Sequence, residues 1–364
     1  MESNHYIVIM AGGEGTRLWP ISRKRSPKQV QPFLHSTETL LQRTFKRICR
    51  SFAPERIYVT TNKAYYNLVR QQLPKLPLKN ICLEPEKKDT GPAIGLVAIR
   101  IYHLDPSAVI TTVGSDAYVE DEREYLKVIK LAGKLIEIKP EKTILIGINP
   151  SYPETGYGYI QMGKPVMEIN EHEVFKVKRF IEKPDLATAQ KFLQRWEYLW
   201  NPAIFTWQVK HLLDLYKDYL PTIYKKLIKI ENYLETKEEK SVIETEYKKM
   251  PKIAIEYGIL EQLKEILVIP ADFGWSDIGH WRAIRDILLK KTKAKNLVKG
   301  NHLGTETENS LIYSLSNRLI ATVGIKDLII VDTPDALLVC SKDKAHDVKK
   351  IIEKIEKKGL DHLL

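Results

Sequence analysis

A glycine-rich segment with nearby basic residues is the first place where the sequence could do chemistry. Gly12, Gly13 and Gly15 follow an apolar run directly, and Arg17 and Lys28 come soon after. Adjacent glycines let the backbone approach a bound group closely, while backbone N–H groups and cationic side chains bind phosphate. The spacing is neither the dinucleotide pattern GxGxxG nor the P-loop pattern GxxxxGK[ST]. The glycines alone would equally fit a tight strand-to-helix turn, but together with the two cations they indicate a polyphosphate site.

Two aspartates come after apolar runs in different parts of the chain. Asp116 follows residues 108–113, and Asp277 lies beyond residues 266–269 on a turn bracketed by glycines. Two carboxylates together with phosphate oxygens are a ligand set that suits Mg²⁺. Each aspartate also has a structural alternative, because Asp116 would serve as a turn residue or helix cap and Asp277 as the N-cap of a helix at Trp281.

Strands and helices alternate over the first 148 residues and would position these side chains. The predicted strands are 6–10, 56–61, 81–84, 108–113 and 143–148, and the predicted helices are 40–52, 64–73, 93–104 and 125–138. Such alternation predicts βαβ crossovers and a mostly parallel sheet. Ligands in these sheets bind at the carboxyl ends of strands, so residues just after each strand are the first candidates for function.

The pattern changes after residue 150. The predicted elements are strands at 174–181 and 266–269, helices at 186–196, 209–230 and 281–288, four short strands at 311–315, 319–323, 328–331 and 336–339, and a closing helix at 344–355. Residues 290–299 are basic and weakly apolar, which is typical of a linker. The sequence therefore predicts two domains, residues 1–289 and residues 290–364.

Composition narrows the class of protein. The 364 residues are 43% hydrophobic and 28% charged, a balance that favours a globular protein over disorder or a membrane protein. No apolar run reaches the ~20 residues of a membrane span. The 57 Lys and Arg exceed the 46 Asp and Glu by 11, which would suit nucleic acid, anionic lipid or small phosphates. Most lysines alternate with glutamates, however, which is typical of a solvated surface. Three widely spaced cysteines and the lack of a signal pattern at the amino terminus predict a cytoplasmic protein.

The segment GGEGTRLWPISRKRSPKQ resembles the signature of sugar-1-phosphate nucleotidylyltransferases, and its Trp-Pro and Ser-Arg pairs are similar to those of mannose-1-phosphate guanylyltransferases. Further matches follow in the family's order: EP at 84–85, DTGPAI at 89–94, GSD at 114–116, TGYGYI at 155–160, FIEKP at 180–184, WN at 200–201, GWSDIG at 274–279 and the segment 318–339. The resemblance covers essentially the whole chain. It implies an α/β fold, with a Rossmann-like nucleotidyltransferase domain built on a mixed, mostly parallel sheet. A small C-terminal left-handed β-helix-like unit and a closing helix would follow.

The resemblance implies an enzyme that transfers GMP from GTP to α-D-mannose 1-phosphate, with Mg²⁺, and forms GDP-mannose and pyrophosphate. A phosphate monoester has a second pKa near ~6, so the attacking oxygen is already anionic at neutral pH and needs no protein base. The chemical problem is then to neutralise and position two anions. A homodimer is expected, with no nucleic acid or membrane as partner. Bifunctional relatives carry a further isomerase domain, and the length of this chain predicts a single activity.

The resemblance also assigns roles to individual residues. Arg17 and Lys28 would bind the nucleotide phosphates, and Asp116 and Asp277 would bind the metal. The expected nucleotide contacts are Gly12, Gly13, Gly15, Thr16, Glu84, Thr90 and Gly114, and the expected sugar-phosphate contacts are Gly158, Glu182, Lys183 and Asn201. Glu84 is placed to accept hydrogen bonds from guanine N1 and N2. Thr90 would cap the helix that follows it while the free amides of that helix face the nucleotide.

Several positions depart from the family pattern. Ala117 replaces a common histidine, Gly114 a common proline, and Asp89 a common asparagine, while Pro202 and Ala203 stand where a small residue and glycine are usual. Two alternative functions remain open on the sequence. One is transfer to another sugar, for instance glucose 1-phosphate, and the other is a regulatory subunit that binds nucleotide sugar without turnover.

Overall fold

The chain forms two compact units in a computed structural model that describes residues 4–33, 36–289, 292 and 294–364. The first, which we call the sheet unit, comprises Met1–Gly12, Phe45–Ser115 and Val119–Trp275. The second, the β-helix unit, comprises Gly13–Thr44, Asp116–Tyr118 and Ser276–Leu364. The domain boundary predicted from the sequence falls at Lys290, which lies outside the described residues, and it stays a prediction.

The sheet unit is built on a ten-stranded sheet with the order β11-β8-β7-β9-β6-β10-β4-β1-β2-β3. Its strands are β1 (His5–Met10), β2 (Ile57–Asn62), β3 (Ile81–Glu84), β4 (Val109–Gly114), β6 (Thr143–Ile148), β7 (Gly158–Ile169), β8 (His172–Ile181), β9 (Tyr198–Asn201), β10 (Phe205–Gln208) and β11 (Ile266–Ala271). β1 to β4 run parallel, as do β6 and β11, whereas β10 is antiparallel to both β4 and β6. The mixed sheet expected from the resemblance is confirmed. It is not mostly parallel, however, because four of its ten strand pairings are parallel and six are antiparallel.

The sheet unit also contains helices, some of which pack against the sheet and others against neighbouring helices. They are α2 (Tyr66–Gln72), α3 (Thr90–Leu104), α4 (Glu122–Ile138), α5 (Leu186–Leu193), α6 (Val209–Tyr219), α7 (Pro221–Glu231), α8 (Glu239–Lys248) and α9 (Ile255–Gly258), while α1 (Leu40–Ile48) begins in the β-helix unit and ends in the sheet unit. In α3, apolar residues at helical spacing form one buried stripe: Ile94, Val97, Ala98 and Ile101. The helix predicted over 209–230 is wrong in one respect, because it is interrupted at Leu220. Pro221 disfavours helical backbone in the residue before it and starts α7 instead.

The β-helix unit contains stacked short strands. They are β13 (Leu297–Lys299), β14 (His302–Thr305), β15 (Leu311–Ser314), β16 (Ile320–Val323), β17 (Leu328–Asp332) and β18 (Leu337–Ser341), with the helices α10 (Trp281–Leu289) and α11 (Val348–Lys357). β13, β15 and β17 pair in parallel so that Leu297, Leu311 and Ile329 align in register and are buried. β14 and β16 form a second parallel pair. This stacking confirms the predicted β-helix-like unit. The predicted closing helix starts later than expected, because residues 342–347 form a 3₁₀ turn.

Two short strands in the same unit matter for function. β5 (Ala117–Tyr118) and β12 (Ser276–Asp277) pair antiparallel, with Ser276 opposite Tyr118 and Asp277 opposite Ala117. Among the helices of the described residues, none is long and apolar enough to cross a membrane.

Candidate active site

The ladder between β5 and β12 brings the two predicted metal ligands together. Asp116 directly precedes β5, and Asp277 is the second residue of β12. The prediction that Asp277 lies on a turn is therefore wrong, because its backbone pairs with that of Ala117 in a two-residue ladder. Asp277 does not cap α10 either, since the Ala283 amide donates to Nδ1 of His280 over 3.1 Å. Both carboxylates are partly open to solvent, with side chains 29% exposed.

Lys28 lies between these two carboxylates. Its Nζ is 2.9 Å from Oδ2 of Asp116 and 3.1 Å from Oδ1 of Asp277, and it donates to the Ile278 carbonyl over 3.0 Å. The side chain is buried. Burial favours the neutral amine, but the two carboxylates outweigh it and raise the pKa of Lys28 above its ordinary value. The ammonium therefore stays charged in this buried position.

Gly15 makes the position of Lys28 possible. Its φ of 58° lies in the left-handed region, and a Cβ at this residue would be 2.3 Å from Cγ of Lys28. Only glycine removes both the strain and the clash. Nearby, the Gln29 amide donates to the Gly13 carbonyl over 2.7 Å and so holds the glycine-rich segment. The sequence analysis did not single out Gln29, although it follows Lys28 directly.

Arg17 and Thr16 lie in a short 3₁₀ turn that follows Gly15. The Arg17 side chain is exposed. It makes no hydrogen bond or ion pair within the described ranges. Of the two cations predicted to bind phosphate, Arg17 is thus exposed and Lys28 is buried.

Glu84, at the end of β3 in the sheet unit, is a buried carboxylate held on both oxygens. Thr60 donates to Oε1 over 2.9 Å, and the Tyr247 hydroxyl donates to Oε2 over 3.3 Å. Burial raises the pKa of Glu84 to about 6, and the two hydrogen bonds oppose part of that rise. Gly12 lies against this group, because a Cβ there would be 2.9 Å from Oε1. Lone pairs remain on both oxygens for a ligand. Thr60 and Tyr247 carried no signal in the sequence.

Thr90 is the first residue of α3, as predicted, but it does not cap the helix. The N-cap is Asp89, whose side chain accepts from the Thr90 amide over 2.9 Å. The Thr90 hydroxyl instead accepts from the Ile255 amide and donates to the buried carboxylate of Glu256. The Gly91 amide donates to a backbone carbonyl of residue 253, so the first two amides of α3 already have partners. The expectation that these amides are free for the nucleotide is wrong in this respect.

The predicted sugar residues meet where β7, β8 and β9 lie side by side. Gly158 is paired in register with Asn201, and a Cβ at Gly158 would be 2.4 Å from Oε2 of Glu182. That Oε2 atom is buried and has no hydrogen-bond partner among the residues that the structure describes. The Asn201 side chain accepts from the Ala203 amide over 3.0 Å. Ala203 has a φ of 56°, a conformation that favours the glycine usual at this position.

Lys183 follows β8 and is half-exposed. Its Nζ donates to Oε1 of Glu182 over 2.7 Å. Partial burial opposes its charge, but the hydrogen bond to Glu182 prevails and raises the pKa of Lys183. The structure therefore groups Gly158, Glu182, Lys183 and Asn201 in the sheet unit. Gly114, which ends β4, pairs with Met10 at the end of β1.

Comparison with known proteins identifies the family. The family described as Nucleotidyl transferase matches residues 6–294, and the one described as MannoseP isomerase/GMP-like beta-helix domain matches residues 300–355. A mannose-1-phosphate guanylyltransferase of Escherichia coli is 35% identical over 97% of this chain and 76% of its own length. One from Salmonella montevideo is also 35% identical, over 96% of this chain and 73% of its own length.

A solved structure gives the same result for the fold. It is described as mannose-1-phosphate geranyltransferase from Thermus thermophilus, and it has a TM-score of 0.84 and 28% identity over 97% of this chain and 99% of that chain. The protein is thus an enzyme of the nucleotidyltransferase class. The chain belongs to the nucleotidyl transferase family, and the resemblance to its mannose-1-phosphate guanylyltransferases is confirmed.

Enzymes of this family generally use a divalent metal ion. The donor set at the β5–β12 ladder fits such an ion, because two carboxylates lie within reach of a single cation, Lys28 Nζ, and each is partly exposed.

Proposed function

We propose that this enzyme transfers GMP from GTP to α-D-mannose 1-phosphate, with Mg²⁺ as the metal. The names of the relatives support the choice of substrates. The observation that carries the chemistry is the cluster of Asp116, Asp277 and Lys28, which combines an anionic metal site with a cation in one unit. Mg²⁺ suits oxygen ligands and retains waters, so two carboxylates and phosphate oxygens would complete its coordination.

In the proposed reaction, a phosphate oxygen of mannose 1-phosphate forms a bond to the α-phosphorus of GTP, and the bond from that phosphorus to the pyrophosphate oxygen breaks. The attacking oxygen is already ionised at neutral pH, so the residues need only position the two anions and neutralise charge. The metal would draw negative charge from the phosphoryl group. Arg17 and Lys28 would stabilise the pyrophosphate as it leaves.

On the sugar side, we propose that Lys183 binds the phosphate of mannose 1-phosphate and that Glu182 accepts from a sugar hydroxyl. The Oε2 atom of Glu182 supports this role, because it is buried without a partner in the described part of the chain and would gain a hydrogen bond from a ligand donor. Asn201 and the backbone of Gly158 would provide the remaining contacts, and their proximity to Glu182 supports a shared site.

On the nucleotide side, we propose that Glu84 accepts from guanine N1 and N2. Its fixed orientation supports a role in recognising the base, since both carboxylate oxygens are held by buried partners. The remaining proposed nucleotide contacts are Gly12, Gly13, Gly15, Thr16, Thr90 and Gly114.

We also propose a homodimer, a cytoplasmic location and a domain boundary between residues 289 and 290. The family matches that end at 294 and begin at 300 support a boundary in this region. Cys49, Cys82 and Cys340 are free, which is consistent with a reducing compartment. Sedimentation velocity tests the homodimer directly, since a species with the mass of one chain would contradict it.

One experiment tests the function: pyrophosphate release measured over a grid of nucleoside triphosphates and sugar 1-phosphates. GTP with mannose 1-phosphate should give the highest kcat/KM, by about 10-fold or more over the other pairs. A higher value with glucose 1-phosphate would reassign the sugar. Binding of GDP-mannose with no turnover of any pair would instead indicate a regulatory subunit.

A further inference from the structure

Three protein oxygens surround the Lys28 ammonium in this structure. An ammonium group has three N–H donors and no acceptor. The Lys28 Nζ donates to Oδ1 of Asp277 at 3.1 Å and to the Ile278 carbonyl at 3.0 Å, and it forms an ion pair with Oδ2 of Asp116 at 2.9 Å. The side chain is also buried, with a relative exposure of 8%. A nucleotide phosphate would therefore have to compete with these oxygens for the ammonium.

Arg17 differs on each of these points. Its side chain is exposed, and within the part of the chain that the structure describes it makes no hydrogen bond or ion pair. Of the two cations proposed to bind phosphate, Arg17 is available in the ligand-free protein and Lys28 is already paired. A phosphate role for Lys28 would therefore need a change of partners.

The same position is where a divalent ion would bind. Two carboxylates this close would repel each other without a cation between them. Lys28 supplies that positive charge now, and a metal ion would supply it when bound. The ammonium and the metal cannot both occupy the space between the inner oxygens of Asp116 and Asp277, because like charges at such a distance repel strongly.

We propose that Lys28 is a placeholder for the metal ion. In the ligand-free protein its ammonium holds Asp116 and Asp277 together, and a divalent ion must displace it in order to bind between them. The inference rests on the metal assignment made under the proposed function. Displacement releases the ammonium for the polyphosphate of the nucleotide, so metal and nucleotide should each strengthen the binding of the other.

Manganese binding without nucleotide tests this exchange. The free Mn²⁺ signal in electron paramagnetic resonance, measured on the full chain, gives the affinity for the metal alone. Lys28→Met removes the competing charge and should tighten Mn²⁺ binding about 10-fold or more relative to the wild type. Arg17→Met is the matched control, because it removes a neighbouring cation that does not contact the carboxylates, and it should change the affinity about 3-fold or less. Equal tightening in both variants would overturn the proposal.

Asp277→Asn separates failure of this inference from failure of the metal assignment. Weaker Mn²⁺ binding in Asp277→Asn, with no tightening in Lys28→Met, would overturn the placeholder role alone. Unchanged binding in Asp277→Asn would overturn the metal site itself, and the inference with it.

A measurement on the wild-type protein covers the case in which Lys28→Met does not fold. Lysine acetylation by a water-soluble reagent, read by peptide mass spectrometry, reports how available each ammonium is. Saturating Mn²⁺ should raise the modification of Lys28 several-fold, because the ammonium leaves its three acceptors, while Lys178, exposed on β8, serves as the internal control and should not change. Modification of Lys28 that stays the same or falls on adding Mn²⁺ would contradict the displacement.

Discussion

Asp116 and Asp277 supply the negative charge of the proposed metal site. Changing either to Asn keeps the size of the side chain and removes the negative charge from the metal site. Turnover should fall ~10²-fold or more, because the metal no longer stabilises the developing charge on the phosphoryl group. Steady-state pyrophosphate release measures this. Asp272→Asn, at an exposed position close to β12, is the control and should retain wild-type turnover, whereas near wild-type rates in both site variants would rule out the metal assignment.

Lys183 should act on binding of the sugar phosphate more than on the rate of chemistry. Lys183→Ala removes a charge-assisted hydrogen bond and should raise the KM for mannose 1-phosphate by about 10-fold or more, with a smaller change in kcat. Lys178→Ala, on the exposed face of β8, is the matched control. An unchanged KM in Lys183→Ala would contradict the proposed role.

Glu84 should make stability depend on pH in a defined window. Its pKa is raised from 4.5 to about 6 by burial, so the folded state holds the proton more tightly than the unfolded state. The stabilisation is complete below pH ~4.5 and is lost as the pH rises through ~6, a change of about 2 kcal/mol. Glu84→Gln has no ionisable group at this position and does not lose this stabilisation. The unfolding free energy of the variant minus that of the wild type should therefore increase as the pH rises through this window. Urea titrations at several pH values measure it, and a pH-independent difference would refute the expectation.

At the scale of elements, two glycines of the glycine-rich segment differ in the space available for a side chain. Gly15→Ala places a side chain at positive φ and within 2.3 Å of Lys28, whereas a Cβ at Gly13 meets nothing within 4 Å. The unfolding free energy should fall by about 2 kcal/mol or more in Gly15→Ala and change by about 0.5 kcal/mol or less in Gly13→Ala. Equal losses in denaturant titrations of the two variants would show that Lys28 does not depend on Gly15.

Elements with a clear local pattern could be predicted from the sequence, and elements that depend on distant pairing could not. The helix predicted over 93–104 lies within α3. The helix predicted over 209–230 missed the break at Leu220, because hydrophobic periodicity reports burial and not the backbone restriction that Pro221 imposes. β12 is two residues long and exists only through its pairing with β5, so no local pattern could reveal it.

The same distinction holds at the site. The types of residue predicted which side chains carry charge for phosphate and metal, and the structure brings Lys28, Asp116 and Asp277 together. Spacing along the sequence could not show which side chain makes each hydrogen bond. Asp89 rather than Thr90 caps α3, and Thr60 and Tyr247 hold Glu84 from elements far away in the chain.

At the scale of the whole molecule, many of the cations behind the net charge of +11 are paired with acids. The buried carboxylate of Glu246 forms ion pairs with Lys226, Lys229 and Lys249 at 2.8 to 3.1 Å. We therefore expect no binding to single-stranded or duplex DNA tighter than ~10⁻⁴ M at about 0.1 M salt. Filter binding over a salt series measures this. Tight binding that weakens steeply with salt would contradict the expectation.

The ladder between β5 and β12 also has a consequence for how such a chain can evolve. Hydrogen bonds between two short segments set the spacing of the two carboxylates, and the segment that connects them along the chain does not. Insertions or deletions in surface loops between residues 119 and 275 would leave this spacing intact. A single residue added inside either strand would shift the register and turn a carboxylate to the opposite face. Loops in this part of the chain are therefore free to diverge in length, while the two strands of the ladder do not admit insertion.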